Sequence, residues 1–204
     1  STGTTNHYFN TLYIGGSGVT GTTSNTIAML ASGALNTRAF QNNILVNTRD
    51  GGATGGNHYS FQIGGTGVNP AGLTMNYNLY QTTGSNGFIG SYNAANLTDL
   101  TAVQTSVGQN ANSYVCDPQL INPNGNAATV NLHILAPPVK TLVEANGLVI
   151  GGITQDFDGQ TRSALTPTDI GADAGNFTFQ AGGCNTLLTW NGSLSSVWGT
   201  PANW

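Results

Sequence analysis

The stretch "DFDGQTRSALTPTDIGADAG" runs from Asp156 to Gly175 and concentrates the charge of the chain. It holds Asp156, Asp158, Asp169 and Asp173, half of the eight acidic residues, and Arg162, one of four basic ones. Three chemistries can be asked of it. A calcium ion takes about six to eight oxygen ligands. Asp156 and Asp158, two residues apart, can begin such a set, which makes calcium the one cofactor candidate. The further acids and the closing Glu of a calcium-binding helix–loop–helix are absent. A glycosidase sets two carboxylates about 5–5.5 or 6.5–9.5 Å apart, separations that no sequence supplies. A polysaccharide lyase wants a strong base beside calcium-bridged carboxylates, and Arg162 is the only one nearby.

A structural reading competes with all three. "DxDGxxR" is a tight turn in which Gly159 permits the backbone twist. Arg162 can fork onto one or two carboxylates, Asp158 and Asp169 being the candidates. Such a clasp would close the open end of a stacked fold. This reading is favoured, with Asp156, Asp158, Gly159, Arg162, Asp169 and Asp173 as cap residues and no catalytic residue assigned.

The remaining polar candidates are sparse. His7 and His58 recur in the same Asn-His-Tyr setting, and His133 stands in "NLHI". Zinc would need them to converge with a Cys or carboxylate, and packing between coils is the simpler role. "GGSG" and "GGTG" lack the following Lys-Ser/Thr of a phosphate loop, and no nucleophile elbow is present. Arg49 and Asp50, after "NNILVN", are the only enzymatic pair in the first half. Tyr59, Tyr77 and Tyr80 are candidates for stacking on sugar rings, should they face outward among amides.

These residues must be carried by β-structure. Only 6% of the 204 residues are charged and 29 are glycine, against about 25% charged in ordinary domains. Short apolar runs such as "HYFNTLYI", "TIAML", "NNILV" and "LTMNYNLY" alternate with Gly, Asn and Ser clusters, as strands do. "NHYFNTLYIGGSG" is echoed by "NHYSFQIGGTG" 51 positions later, which suggests stacked coils of roughly 20–25 residues. The alternation of Leu73, Met75, Tyr77 and Leu79 with polar neighbours predicts one buried face. Asn42, Asn43, Asn47, Asn76 and Asn78 are placed to bend the chain at coil corners and to stack their amides. One helix is expected in "NLTDLTAVQTSVGQ", with Thr98 as N-cap, Asp99 in the first turn, Leu100, Val103 and Val107 on one face, and Gly108 as terminator.

Charge excludes some partners. The net charge is −4, with four scattered Lys and Arg, so a nucleic-acid surface, which needs clustered cations, is not expected. No run reaches the ~18 apolar residues of a membrane span. No signal peptide is visible at Ser1, so the chain reads as a mature or excised piece. Cys116 and Cys184 are the candidate disulfide; the sequence leaves open a bond or two buried thiols. The composition suggests an extracellular setting, where a bond would survive. All three tryptophans fall in "TWNGSLSSVWGTPANW", which predicts a linker and a new module over 176–204 after a domain over 1–175.

The order "RAFQNNILVNTR", "MNYNLY", short helix, "NSYVCDPQLINP", "NLHI", "ANGLVI", "DFDGQTR", "TDIGADAG" resembles the C-terminal half of a right-handed parallel β-helix of the pectate-lyase-like type, from large secreted bacterial surface proteins. The tail resembles the start of a repeat that follows such domains in Bacteroidota proteins exported by the type 9 secretion system, several of them adhesins. The resemblance implies an all-β solenoid with one short lateral helix, a C-terminal cap, and a non-enzymatic adhesive role at the cell surface. Glycans or secretion-machinery proteins are then the partners, without membrane insertion. A lyase or glycosidase on the same fold is the alternative.

Overall fold

In a computed structural model, residues 3–16, 24–50, 55–165 and 168–180 are described. The chain winds as a parallel β-solenoid of three coils with a three-sided wall. The first sheet stacks β1 (Thr4–Tyr8), β4 (Thr37–Gln41) and β7 (Leu73–Asn76). The second stacks β2 (Thr11–Ile14), β5 (Ile44–Asn47), β8 (Leu79–Thr82) and β11 (Tyr114–Val115). The third stacks β3 (Thr26–Ala31), β6 (His58–Ile63) and β9 (Gly87–Tyr92), with β10 (Ala95–Leu97) turned back antiparallel on β9.

A coil is longer than the 20–25 residues expected. Asn10 and Asn43 are stacked at a separation of 33, Asn43 and Asn78 at 35. The two Asn-His-Tyr triplets are therefore not equivalent: His7 lies on β1 in the first sheet and His58 on β6 in the third. Their echo reflects similar strand chemistry on different walls.

The corner between the first and second sheets explains the asparagines. Phe9, Asn42 and Tyr77 each adopt positive φ (54°, 59° and 57°), and each precedes an asparagine that turns inward. Asn10 Nδ2 donates to Asn43 Oδ1 at 2.8 Å, and Asn43 Nδ2 donates to Asn78 Oδ1 at 3.0 Å. Ser113 ends the row, its Oγ accepting from Asn78 N. Buried amides paired in this way satisfy backbone groups that a corner leaves unbonded. Asn43 and Asn78 thus form the ladder. Asn76 only accepts from Tyr77 and Asn112 N–H groups, and Asn47 serves another corner, donating to Thr26 and Tyr59 carbonyls. Tyr77 takes the bend, so the alternation read through Leu73, Met75, Tyr77 and Leu79 stops at Met75. Leu79 and Tyr80 are both buried, on opposite faces of β8.

The solenoid interior is filled by Phe40, Leu45, Phe61, Met75, Tyr80 and Ile89, among others. Burying each such side chain contributes about 1.5–3 kcal/mol. Gly90 is required by this packing, because a Cβ there would meet the Phe61 ring at 2.2 Å. The helix α1 (Leu100–Val107) adds Val103 and Val107 to the same core. Its N-cap is Asp99, whose carboxylate accepts from Ala102 N; Thr98, the expected cap, instead donates its hydroxyl to Asp99. The cap shift follows from reach, since a carboxylate at the first non-helical position meets the third helical N–H. Gly108 ends the helix in the left-handed region, as expected.

The second sheet is covered on both faces. Leu45 and Tyr80 point into the solenoid, whereas Ile44, Val46 and Leu79 point out against Leu142, Val143 and Ile170. A strand buried on both faces reads as a continuous apolar run, and "ILV" is that signal. The segment after α1 supplies the cover: β12 (Leu120–Asn122) with β13 (Asn131–Ile134), antiparallel, then β14 (Lys140–Thr141) with β15 (Thr178–Phe179), parallel. The expected plug at the end of the column is therefore a buttress along its side. The pairing of β15 with β14 also binds residues 178–179, which the sequence reading assigned to a linker, to the body of the domain.

Candidate functional site

The charged stretch seats on this buttress. Arg162 opens a 3-10 turn, Arg162–Ala164, and is 7% exposed. Its guanidinium does not fork onto carboxylates. Nε donates to Gln155 O at 3.2 Å, and Nη2 donates to Gly171 O and Ala172 O at 3.0 and 2.8 Å. The flat group lies over the Phe9 ring, 4.1 Å from its centroid, an arrangement worth about 0.5–2 kcal/mol. The expected pairing with Asp158 and Asp169 is replaced by carbonyl clamping. A turn with its C=O groups converging offers the fork a closer set of acceptors than side chains fixed elsewhere. Asp156, Asp169 and Asp173 still act on Arg162 through their field: burial lowers its pKa and these three charges raise it.

The carboxylates hold backbone. Asp156 accepts from the N–H groups of Asp158, Gln160 and Ala174. This organises the turn in which Gly159 has φ +79°. Asp169, 1% exposed, accepts from Ala145 N and Gly175 N at 3.0 Å each. Burial pushes its pKa up to about 7, against those two N–H donors. Asp173 accepts from Ile134 N at 2.8 Å, and burial raises its pKa as well. Asp156 and Asp158, the expected start of a calcium set, turn to different partners: Asp156 to backbone N–H groups and Asp158 to His133.

That contact is the most chemically distinctive feature of the described residues. His133 Nε2 lies 2.9 Å from Asp158 Oδ2, and the ring's Nδ1 lies 2.6 Å from Asn131 Oδ1. Ligating atoms of His133, Asp158 and Asp173 all fall within 4.8 Å of one another. His133 and Asp173 line a half-open cavity of about 370 Å³, together with Thr11, Val130, Leu132 and Phe157. Phe157 is 77% exposed and meets the His133 ring edge-on at 6.1 Å. Apolar walls with a few convergent polar groups are the usual make-up of a ligand site.

The two tyrosines read as sugar-stacking on β6 and β8 fall in the core. Tyr59 and Tyr80 are 4% and 0% exposed. Their hydroxyls donate to Asn96 and Asn110, and burial raises the Tyr80 pKa. Neither ring has a face to offer a sugar. Tyr77 is half-buried at its corner. His7 stacks on Phe40 at 5.4 Å and His58 meets Thr26 Oγ1 at 2.8 Å, both packing between coils as expected. Arg38 is buried and donates to Ala31 O and Gly64 O. Arg49 and Asp50 follow β5, where Asp50 N–H donates to Gly16 O; residues 51–54 beyond them lie outside the described residues. Cys116 is disulfide-bonded. Cys184, the chain's other cysteine, and the three tryptophans of the tail lie outside the described residues.

Comparison of the chain with protein-family models, with curated proteins and with solved structures finds no match. The cavity is what sequence reasoning missed. His133, Asp158 and Asp173 come from a strand, a turn and a returning loop, and no spacing among them marks a motif. Phe157, an exposed aromatic inside "DFDG", was the one local signal.

Proposed function

We propose that the chain is a non-enzymatic, adhesive β-helix segment of a longer secreted cell-surface protein, and that it holds glycans in the cavity beside Phe157. The carrying observation is this exposed aromatic ring set next to Asn131, His133 and Asp173 on a half-open cavity of monosaccharide scale. A ring face of this kind stacks on a pyranose while the amide, imidazole and carboxylate bond its hydroxyls. The non-enzymatic reading is supported by Arg162 and Asp169, which are buried and tied to backbone groups. The disulfide at Cys116 supports an oxidising, extracellular setting.

The finer identity rests on the ordered motifs. Their likeness to pectate-lyase-like β-helices of Bacteroidota surface proteins supports assignment to that type, with export by the type 9 system and surface glycans or secretion-machinery proteins as partners. Membrane insertion and nucleic-acid binding form no part of the proposal. Among the described residues no helix is long and apolar enough to cross a membrane.

A glycan array probed with the purified chain tests the proposal. Binding to a defined glycan class, lost in Phe157→Ala with unchanged thermal stability, is the expected result. Turnover of uronate polymers, abolished by Arg49→Ala, would move the protein to the enzymatic reading instead.

A further inference from the structure

His133, Asp158 and Asp173 form a site for one divalent transition-metal ion of the zinc class, we infer, independently of whether the adjoining cavity holds a glycan. The argument begins with the protons of His133. The main-chain N–H of His133 donates to Asn131 Oδ1 at 2.9 Å, which fixes that amide with its oxygen toward the histidine. The same oxygen lies 2.6 Å from Nδ1, so Nδ1 carries a proton and donates it. In the neutral ring Nε2 then presents a lone pair, and it presents it to a carboxylate oxygen at 2.9 Å. Two acceptors at that distance repel. A cation between them removes the repulsion, and a hydrogen bond from Nδ1–H to a carbonyl-type oxygen is how a metal-ligating imidazole is held.

The third ligand comes from another element. Asp173 is oriented by Ile134 N–H and reaches the cluster from the buttress loop, with the negative field of Asp156 and Asp158 beside it. One imidazole and two carboxylates suit zinc, which binds nitrogen and oxygen at about 2.0–2.2 Å. Calcium is disfavoured, because it seeks about six to eight oxygens and no imidazole. Ligands about a tetrahedral zinc stand about 3.3–3.5 Å apart, so within the 4.8 Å cluster the His133–Asp158 contact of 2.9 Å must open slightly while Asp173 is brought to the ion. Asp158 can supply the opening, since its side chain is 40% exposed on a turn. Three protein ligands leave one position for water or for an oxygen of a bound ligand. His133 and Asp173 line the cavity, so that position opens into it.

Calorimetric titration of the metal-stripped 204-residue chain with Zn²⁺ at pH 7 is the test. One ion per chain is expected, with affinity lowered at least tenfold in His133→Ala and in Asp158→Asn and unchanged in His7→Ala. Co²⁺ should give visible absorption of a nitrogen- and oxygen-ligated ion, lost in the same two variants. Circular dichroism of each variant separates loss of the site from loss of the fold, and Asp158→Asn, on an exposed turn, keeps the test open if His133→Ala misfolds. A chain that binds no Zn²⁺, or binds it equally well in folded His133→Ala and Asp158→Asn, overturns the site. In that case His133 and Asp158 are an imidazolium–carboxylate pair.

Discussion

Asn43 and Asn78, 35 residues apart, join side chain to side chain: Asn43 Nδ2 donates to Asn78 Oδ1 at 3.0 Å, and the same oxygen accepts from Asn43 N–H at 2.9 Å. Both residues are essentially without solvent exposure. Asn43 also accepts from Asn10 N–H and Nδ2. One amide thus satisfies donors of the coil before it and engages an acceptor of the coil after it. Replacing it with Ala leaves several buried groups unpaired, each at about 1–3 kcal/mol. Asn43→Ala is expected to lower the unfolding free energy by about 3 kcal/mol or more, while Thr74→Ala on the exposed face of β7 changes it by less than about 0.5 kcal/mol. Urea denaturation of the two variants checks the contrast.

Arg162 holds carbonyls rather than carboxylates. A lysine carries the charge but not the planar fork. Arg162→Lys is expected to destabilise the chain by about 2 kcal/mol, with Arg162→Ala worse, because breaking buried charge-assisted hydrogen bonds costs about 1.5–3 kcal/mol each. Asp158→Asn in metal-free buffer should have an effect below about 0.5 kcal/mol, as expected of an exposed pair. A large loss in Asp158→Asn measured by thermal unfolding would instead give its contact with His133 a stabilising weight.

Asp169 makes stability depend on pH. Its folded pKa, raised by burial to about 7, exceeds the ordinary value of 3.8. Between these values the folded state binds the extra proton. The group's contribution is therefore fully present below about pH 4 and is lost as pH rises through about 7. The unfolding midpoint in urea should fall between pH 5 and pH 8, and Asp169→Asn, which cannot ionise, should flatten that dependence. A profile equally steep in the variant would assign the dependence to another group.

Gly171 secures the buttress. It has φ +97°, and a Cβ would stand 2.5 Å from Ile44 Cδ1. Its N–H donates to Asn42 O across the contact between buttress and coil. Gly171→Ala combines a left-handed backbone with overpacking and is expected to cost about 2–4 kcal/mol. The buttress should loosen before the coils do. Limited proteolysis of the variant should therefore cut within 140–175 first, leaving a fragment that retains the three sheets.

The sequence by itself determined the class of fold. Apolar runs of strand length, a charge content of 6% and asparagines before apolar pairs dictate stacked strands with amides at the bends, since these are local properties of the chain. The helix was legible for the same reason, with a one-residue error at Thr98 and Asp99. Coil length was not legible, because similar strand chemistry recurs on different walls, and His7 and His58 mark two of them. Nor was the second buried face of Ile44 and Val46 tied to its partner, since Leu142, Val143 and Ile170 lie about a hundred residues away along the chain. The tertiary structure alone decided what Arg162 clamps and where His133, Asp158 and Asp173 meet. Their approach depends on a buttress folding back along the solenoid, and the geometry that brings distant groups together is set by packing, which no spacing along the chain encodes.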